Sequence, residues 1–385
     1  MPATTAMTSE TTTATGTALV TARSFHPRIE RNPDLVSDAD RAGVLADPGF
    51  GRHFTDHMVL IEWTPEDGWH DERIVPYGPL ALDPATAALH YAQEIFEGLK
   101  AYRHADGGVR VFRPDQNAAR FQRSAARLTL PELPTDWFVD SVDALVRLDE
   151  AWVPASGNEQ ALYLRPFMFA SEAFLGVRSA RKVTYAVIAS PVGGYFAGGA
   201  KPLSVWLAEH YTRAAPGGTG AAKCGGNYAG GLLPLAEAAR HGCEQVVFLD
   251  ATEHRLVEEL GGMNLYFVHD DGHIVTPASD TILDGIIKNS LRDVGADLGH
   301  EVVERPFAIE EWSDGVAAGR ITEVFACGTA AVITPVGRLV WSGGEIDSAA
   351  DGQSGPVTAT LRAALIDLQQ GRAEDVRGWM HLVGR

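Results

Sequence analysis

A short segment rich in glycine and proline, 198–202 (GGAKP), divides the sequence into two halves of similar length. It follows a run of strand-forming residues at 183–189, and such a concentration of glycine and proline is typical of a structural boundary. A chain of 385 residues also exceeds what one core usually serves, since single cores stop growing at about 250–300 residues. Each half alternates predicted strands and helices. We therefore predict a mixed α/β (α+β) fold of two domains, with a ligand site in the cleft between them.

The predicted domain boundaries follow from this break and from local composition. Residues 1–22 are mainly threonine and alanine with hardly a charge, and we predict a disordered leader there. We assign 23–197 to an N-terminal α/β domain, with order expected from about Phe54 onward. Residues 198–210 are predicted to be an interdomain linker, and 211–385 a C-terminal domain.

Two hairpins and a series of elements can be placed from local signals. The dipeptides Asp106-Gly107 and Asp271-Gly272 each separate two short apolar runs, and Asp-Gly tolerates the positive φ that tight hairpin turns require. Predicted helices cover 85–96, 114–128, 139–152, 232–240, 285–298, 309–318 and 357–369. Further predicted strands cover 57–63, 161–167, 183–189, 245–249, 255–259, 301–304 and 321–326.

Charge and cysteine usage bound the partners and the compartment. The formal net charge of −18 disfavours nucleic acid and anionic membranes, although a small anionic ligand needs only a local basic pocket. The longest uncharged stretch, 183–200, is broken by proline and glycine, and no signal peptide is visible at the N-terminus. Three cysteines without CxxC spacing argue for a reducing compartment and against a thiolate metal site. We expect a soluble, cytoplasmic protein without a metal.

The segment 221–231 (AAKCGGNYAGG) sets a lysine among glycines, with a tyrosine five residues later. We interpret Lys223 as the covalent anchor of pyridoxal phosphate, because a lysine amine attacks an aldehyde once burial or a nearby cation lowers its pKa. The glycines allow the backbone to approach a flat ring closely. The alternative is a surface lysine in a flexible loop, and this segment alone does not decide between the two.

Two features of the C-terminal half fit the same ligand. Glu259 ends a predicted strand, and a carboxylate facing a pyridine nitrogen keeps that nitrogen protonated, so that the ring acts as an electron sink. The alternative is that Glu258 and Glu259 form a solvated pair. The helix predicted from 285 offers free N–H groups at Ile286 and Ile287, which can bind a phosphate, although an ordinary helix start has the same sequence features.

Two weaker features complete the candidate site. The turn 327–331 (CGTAA) offers N–H donors and the Thr329 hydroxyl to an oxyanion, but such turns are common. Arg120 on a predicted helix and Arg165 on a predicted strand suit phosphate or carboxylate, because a guanidinium engages two oxygens together. The alternative for each arginine is a surface salt bridge.

Taken together, these motifs resemble the branched-chain amino acid aminotransferases, which are pyridoxal-phosphate enzymes of fold type IV. The resemblance runs from about Phe54 to near the C-terminus and holds in order across both halves. The matching stretches are 54–58 (FTDHM), 91–102 (YAQEIFEGLKAY), 112–114 (FRP), 164–166 (LRP), 191–196 (PVGGYF), 223–228 (KCGGNY), 242–246 (GCEQV), 259–264 (ELGGMN) and 328–330 (GTA).

The resemblance implies a role for each matching position. Lys223 would carry the cofactor and act as the catalytic acid and base, Tyr228 would bind the phenolic oxygen, and Glu259 would face the pyridine nitrogen. The implied cofactor-binding residues are Arg120, Lys223, Tyr228, Glu259, Ile286, Ile287 and Thr329. The implied substrate-binding residues are Tyr91, Phe96, Tyr163, Arg165, Val177, Tyr195, Thr329 and Ala330. Among these, Thr329 and Ala330 would receive the substrate carboxylate, and Arg165 the second carboxylate of glutamate.

The implied activity is the transfer of an amino group from L-leucine, L-isoleucine or L-valine to 2-oxoglutarate, in a homodimer whose sites are completed by a loop of the partner. Ala331 and Thr334 stand where eukaryotic relatives carry a CxxC, which excludes a thiol switch there. Gly262 replaces a threonine of some relatives, and Phe50 is a further pocket candidate.

Three alternatives stay open at this point. A D-amino acid aminotransferase or an aminodeoxychorismate lyase would keep the lysine and the glutamate but use a different pocket. A non-catalytic protein could bind a phosphorylated metabolite through the same glycine turns.

Overall fold

The computed structural model describes residues 24–157, 159–194, 201–348 and 353–384. Its strands form two nine-stranded sheets, which confirms the predicted mixed α/β class. The predicted leader 1–22 lies outside the described residues. No helix among the described residues is long and apolar enough to span a bilayer.

The first sheet is built mainly from the N-terminal half. Its strands are β1 (Arg28–Ile29), β2 (His57–Thr64), β3 (Gly68–Pro76), β4 (Glu94–Phe96), β5 (Leu99–Arg103), β6 (Val109–Phe112), β7 (Ala161–Ala170), β8 (Val183–Val192) and β18 (Met380–Leu382). The strand order is β1-β3-β2-β8-β7-β5-β6-β18, with β4 paired to β7. Only β1 and β3 run parallel; the other neighbours are antiparallel. The helices of this half are α1 (Asp38–Ala46), α2 (Ala87–Tyr91), α3 (Pro114–Arg127) and α4 (Thr135–Leu148), followed by a short 3-10 helix at Glu150–Trp152.

The second sheet is mixed. Its strands are β9 (Leu203–Ala208), β10 (Gln245–Leu249), β11 (Val257–Leu260), β12 (Asn264–His269), β13 (Ile274–Pro277), β14 (Val302–Arg305), β15 (Ile321–Gly328), β16 (Val332–Trp341) and β17 (Gly344–Asp347). The order is β11-β10-β9-β16-β15-β12-β13-β14, with β17 paired to β16, and β9 runs parallel to both its neighbours. The helices of this half are α5 (Gly225–Ala229), α6 (Leu232–Arg240), α7 (Ile286–Asp297), α8 (Ile309–Ala317) and α9 (Pro356–Gln369).

Helix α3 packs on the first sheet because its apolar residues repeat at helical spacing. Pro114 at its first turn is well placed there, since proline lacks only an N–H that has no helical partner anyway. Phe121 is buried, and its ring contacts those of Phe138 on α4 and Tyr185 on β8 at centroid distances of 5.5 and 5.6 Å. This packing fixes α3, and with it Arg120 and Ser124, relative to the sheet.

A shared core joins the two sheets. Tyr102 of β5 and Phe112 of β6 pack in one buried cluster with Leu361 and Leu365 of α9. The Tyr102 hydroxyl also donates to Oε1 of Gln369 at 3.1 Å. The cleft between the sheets is therefore held by apolar packing rather than by a flexible connection.

Several sequence predictions are confirmed and others are wrong. Both Asp-Gly hairpins are present, with φ of 80° at Gly107 and 87° at Gly272. The helix predicted over 85–96 is wrong beyond α2, because Ala92 adopts the left-handed conformation that ends the helix and the next residues pair with β7 as β4. Order begins before Phe54: Phe25 is buried against the ring of Trp137, and α1 follows.

The linker prediction for 198–210 is also wrong in its second part. Residues 203–208 form β9 in the middle of the second sheet, because their apolar side chains pack on both faces of it. The glycine and proline content of 198–202 suggested a longer connection than the chain uses. At the other end, β18 pairs with β6 of the first sheet. The division into 23–197 and 211–385 remains a prediction, with β9 belonging to the second sheet and β18 to the first.

Candidate active site

Lys223 lies in a loop whose main chain is held by the N-terminal half. The Lys223 N–H donates to the Ser124 hydroxyl of α3 at 3.0 Å, and its carbonyl accepts from the Phe96 N–H at 3.0 Å. Two residues on, the Gly225 N–H donates to Oε1 of Glu94 at 2.5 Å. A Cβ on Gly225 would lie 2.1 Å from that oxygen, so any larger residue here would displace the Glu94 carboxylate. These contacts fix the direction in which the lysine side chain leaves the loop.

The amine of Lys223 is positioned by aromatic groups. Its Nζ donates to the Tyr228 hydroxyl at 2.9 Å, because the short helix α5 turns Tyr228 back towards the lysine. Nζ also lies 5.0 Å from the centroid of the Phe96 ring. The alternative of a solvent-exposed lysine in a flexible loop is therefore wrong: the amine lies inside a cavity with a hydroxyl as its partner.

Glu259, on β11, forms another wall of the same cavity. The carboxylate accepts from the Leu283 N–H at 3.0 Å and from Nδ2 of Asn264 at 3.2 Å, and pairs with Nη2 of Arg213 at 2.7 Å. Burial raises the pKa of Glu259 above its ordinary value, and the Arg213 charge opposes this only in part. The alternative of a solvated Glu258–Glu259 pair is wrong, because both side chains are buried and Glu258 accepts from the Thr281 hydroxyl on the other face of the strand.

Arg120 lines the cavity but is already engaged. Its Nε and Nη2 donate to the two carboxylate oxygens of Glu97 at 2.7 and 2.8 Å, and Nη1 donates to the Asp284 carbonyl at 2.9 Å. A guanidinium has five N–H groups, so two remain for a ligand after these three bonds. Burial would raise the pKa of Glu97, but the charge and hydrogen bonds of Arg120, assisted by Lys223 and Asn117, outweigh it and the pKa lies below its ordinary value.

The N-terminus of α7 opens onto the cavity next to the carbonyl that Arg120 binds. Gly285 is the N-cap residue and supplies no side-chain cap, and Ile286 and Ile287 line the cavity. A Cβ at Gly285 would lie 2.0 Å from Oδ1 of Asn264, so this close approach requires glycine. The first N–H groups of the helix are directed to an anion site by the helix geometry.

The opposite part of the cavity is aromatic and cationic. Nη2 of Arg165 donates to the Tyr163 hydroxyl at 3.1 Å, and its guanidinium lies 4.8 Å from the Phe96 ring centroid. A Cβ on Gly98 would lie 2.1 Å from the Tyr163 hydroxyl, so this glycine leaves room for the tyrosine. Nε of Arg165 is buried without a hydrogen-bond partner among the described residues. A partly buried guanidinium with a free donor is a receptor for an anion.

The turn after β15 supplies the third part of the lining. Thr329 and Ala330 both line the cavity. Nζ of Lys100, on β5, donates to the Ala330 carbonyl at 2.8 Å and so ties this turn to the first sheet. Burial lowers the pKa of Lys100 to about 8, although Glu159 opposes the shift.

The structure brings most of the predicted site residues into one cavity of about 220 Å³. Those that line it are Arg120, Lys223, Tyr228, Glu259, Ile286, Ile287, Thr329, Phe96, Tyr163, Arg165, Ala330 and the additional candidate Phe50. Two do not: Val177 is 88% exposed, and the exposed Tyr91 donates its hydroxyl to the Leu175 carbonyl. Tyr195 lies outside the described residues.

Four contributing residues were missed at the sequence level: Glu94, Glu97, Ser124 and Arg213. Glu97 is the one charged residue of the short stretch 95–99 (IFEGL), which is a usable signal because an unpaired buried charge is rare. Ser124 follows Arg120 by four residues and therefore shares its helix face. Nothing in the local sequence marks Glu94 or Arg213, because their partners come from distant segments.

The chain was compared with known families and proteins. The family model for amino-transferase class IV matches residues 94–339. A probable branched-chain-amino-acid aminotransferase of Streptomyces coelicolor is 57% identical over 92% of this chain and 98% of its own length. The branched-chain-amino-acid aminotransferase of Mycobacterium tuberculosis H37Rv is 53% identical over 95% of this chain and its full length.

Solved structures show the same architecture. The branched-chain amino acid aminotransferase of Escherichia coli matches with a TM-score of 0.72 at 28% identity, covering 86% of this chain and 99% of the other. The T.th. branched-chain amino acid aminotransferase with pyridoxamine 5′-phosphate matches with a TM-score of 0.69 at 28% identity, covering 84% of this chain and 98% of the other.

Proposed function

The chain belongs to the class IV amino-transferases and, within them, to the branched-chain-amino-acid aminotransferases. From this premise we propose that it transfers the amino group of L-leucine, L-isoleucine or L-valine reversibly to 2-oxoglutarate, giving branched-chain 2-oxo acids and L-glutamate, with pyridoxal 5′-phosphate as its cofactor. The observation that carries the proposal is the meeting of the Lys223 amine, the Tyr228 hydroxyl and the Glu259 carboxylate in one cavity.

The residues present fit the cofactor. An amine is available for its aldehyde, a buried carboxyl for its ring nitrogen, and uncapped helix N–H groups for its phosphate. We assign the phosphate to Ile286, Ile287, Thr329 and the two unused N–H groups of Arg120. Because Glu97 neutralises much of the Arg120 charge, we assign the larger share of phosphate binding to the N–H groups at the α7 N-terminus.

When bound, the cofactor supplies an electron sink for the electrons of the bond between the substrate α-carbon and its hydrogen. Lys223 Nζ is proposed to take that proton and to return it, as base and then acid. Tyr228 orients Nζ through the 2.9 Å hydrogen bond, and Glu259 holds a proton at the ring nitrogen. A carboxyl whose pKa is raised by burial shares a proton with a pyridine more evenly than an exposed one does.

Substrate binding is assigned to the opposite part of the cavity. Phe96 and Tyr163, with Phe50, would surround a branched apolar side chain, and Thr329 and Ala330 would receive the α-carboxylate. Arg165, with its free donor, would receive the second carboxylate of glutamate. One cavity can thus accept both side chains in turn.

A homodimer is part of the proposal. Leu89, Tyr91, Leu175 and Val177 form an exposed apolar group, with exposed fractions from 39% to 88%. Such a group fits an interface between copies, and through it Tyr91 and Val177 would reach the pocket of the partner subunit. Light scattering on Val177→Asp tests this: we expect a shift to monomer and loss of turnover, and an unchanged dimer would contradict it.

Three unpaired cysteines support a cytoplasmic location, which fractionation of the source cells would test.

The direct test of the activity is a substrate panel on the purified holoenzyme. We expect L-leucine to convert the cofactor spectrum to the amine form, and 2-oxoglutarate to restore it. D-alanine and aminodeoxychorismate should have little effect, and stronger turnover of either would favour the related enzymes of the same fold. Absence of any cofactor absorbance would favour a non-catalytic metabolite-binding protein.

A further inference from the structure

We propose that Glu94 is a specificity-determining residue, which sets how the cavity divides its affinity between dicarboxylates and branched apolar substrates. The inference rests on the proposed function and assigns a role to a residue that does not line the cavity.

The position of Glu94 follows from strand geometry. Glu94 and Phe96 lie two residues apart on β4, so their side chains share one face of the strand. The guanidinium of Arg165, on the adjacent β7, stacks over the Phe96 ring on that face at 4.8 Å. Glu94 and Arg165 are therefore placed around the same phenylalanine.

The Glu94 carboxylate is held in a fixed place. Its Oε1 accepts from the Gly225 N–H at 2.5 Å, next to the loop that carries Lys223. Burial raises the pKa of Glu94, and the Gly225 hydrogen bond and the Arg165 charge oppose this in part. The contribution of Arg165 is consistent with an electrostatic interaction between the Glu94 and Arg165 side chains.

Arg165 depends on this carboxylate more than a surface arginine would. Among the described residues, no carboxylate oxygen lies within ion-pairing distance of Arg165, its Nη2 donates to a neutral hydroxyl, and its Nε has no partner. A negative charge at Glu94 offsets the guanidinium while an apolar side chain occupies the cavity. The same interaction makes the Arg165 guanidinium a weaker receptor for an arriving second carboxylate. Glu94 thus lowers the affinity of the cavity for dicarboxylates and allows leucine, with its apolar side chain, to bind.

The test compares two ligands that are not turned over. Glu94→Gln keeps an oxygen that accepts from the Gly225 N–H but removes the charge. We expect it to tighten glutarate binding to the holoenzyme roughly three- to tenfold, as removal of one partly screened charge interaction allows. Binding of 4-methylvaleric acid should change less than twofold. Calorimetry gives the ratio of the affinities for glutarate and 4-methylvaleric acid. The KM values for glutamate and leucine give the corresponding ratio for the substrates.

Two controls make the result specific. Glu310→Gln removes an exposed charge that pairs with Arg255 in the second half of the chain, and we expect no change in the ratio. In an Arg165→Met background the effect of Glu94→Gln should disappear, because the carboxylate acts through that guanidinium. If the methionine variant does not fold, Arg165→Gln serves the same purpose.

The inference is overturned if Glu94→Gln leaves the ratio of the two affinities unchanged. It is also overturned if Glu94→Gln shifts this ratio by the same factor in the Arg165→Met background as in the wild-type background. The proposed function fails separately, if the wild-type holoenzyme transaminates neither leucine nor glutamate. The binding measurements keep the two failures distinguishable.

Discussion

Two buried acid–arginine pairs lie at the candidate active site, and they differ in how completely each acid is compensated. Glu97 receives two hydrogen bonds from Arg120 and one from Asn117, and its pKa lies below the ordinary value. Glu259 has a single contact with Arg213 at 2.7 Å, and burial keeps its pKa above the ordinary value.

We call Glu97–Arg120 the closed pair, because its acid is fully compensated, and Glu259–Arg213 the open pair. The closed pair has a structural role and the open pair a chemical one. The charge of Lys223 lowers the pKa of both acids, and its side chain lines the same cavity as Arg120 and Glu259. The closed pair with Arg120 ties the residue after β4 to α3 and, through the Asp284 carbonyl, to the loop before α7. It has no proton to exchange. The open pair leaves Glu259 with affinity for a proton on the side where a ring nitrogen would sit.

The largest effect is expected from breaking the closed pair. Glu97→Ala leaves Arg120 buried and uncompensated, and removing one partner of a buried pair costs about 3–5 kcal/mol. Denaturant unfolding should show this loss in the free energy of unfolding. Glu310→Ala, which removes an exposed acid, should cost less than about 1 kcal/mol. A loss for Glu97→Ala no larger than this control would contradict the structural role.

Breaking the open pair should affect turnover more than stability. Glu259→Gln removes the acid that holds a proton at the ring nitrogen, and we expect kcat for L-leucine to fall on the order of 10²–10³-fold, as for other lost electrostatic partners. The matched control is Glu258→Gln, on the same strand but the other face. Equal losses in the two variants would mean that Glu259 is not the functional acid.

A conservative exchange in both pairs sharpens the comparison. Lysine keeps the charge but loses the fork that binds two oxygens. Arg120→Lys should therefore cost about 1.5–3 kcal/mol of unfolding free energy, the range for a hydrogen bond to a charged group. Arg213→Lys, which replaces a single contact to Glu259, should cost less. The reverse order would contradict the assignment of the closed and open pairs.

The smallest effect is a difference in the pH dependence of stability of the cofactor-free protein. The lowered pKa of Glu97 gives stability that is present above 4.5 and is lost as pH falls through the folded-state value. The raised pKa of Glu259 gives stability that is present below 4.5 and is lost as pH rises through its folded-state value. The unfolding free energy of Glu97→Gln and of Glu259→Gln is measured across pH and subtracted from that of wild type. The two differences should change with pH with slopes of opposite sign. Slopes of the same sign would contradict the distinction.

The sequence predicted the site better than it predicted the elements around it. Local motifs predict Lys223, Glu259 and the α7 N-terminus, because glycine turns and helix starts have short-range signals, whereas the role of Tyr228 follows only from the family resemblance. The Glu97–Arg120 and Glu259–Arg213 pairs were not predicted, since each joins residues 23 or more positions apart. The glycine and proline of 198–202 predict a linker that extends over β9, and only pairing with β10 and β16 makes 203–208 a strand.

The most direct test of the account is borohydride reduction of the purified holoenzyme, followed by peptide mass spectrometry. The account predicts one pyridoxal phosphate adduct, on the peptide that contains Lys223, and its loss in Lys223→Ala. An adduct on another lysine, or wild-type turnover by Lys223→Ala, would contradict it.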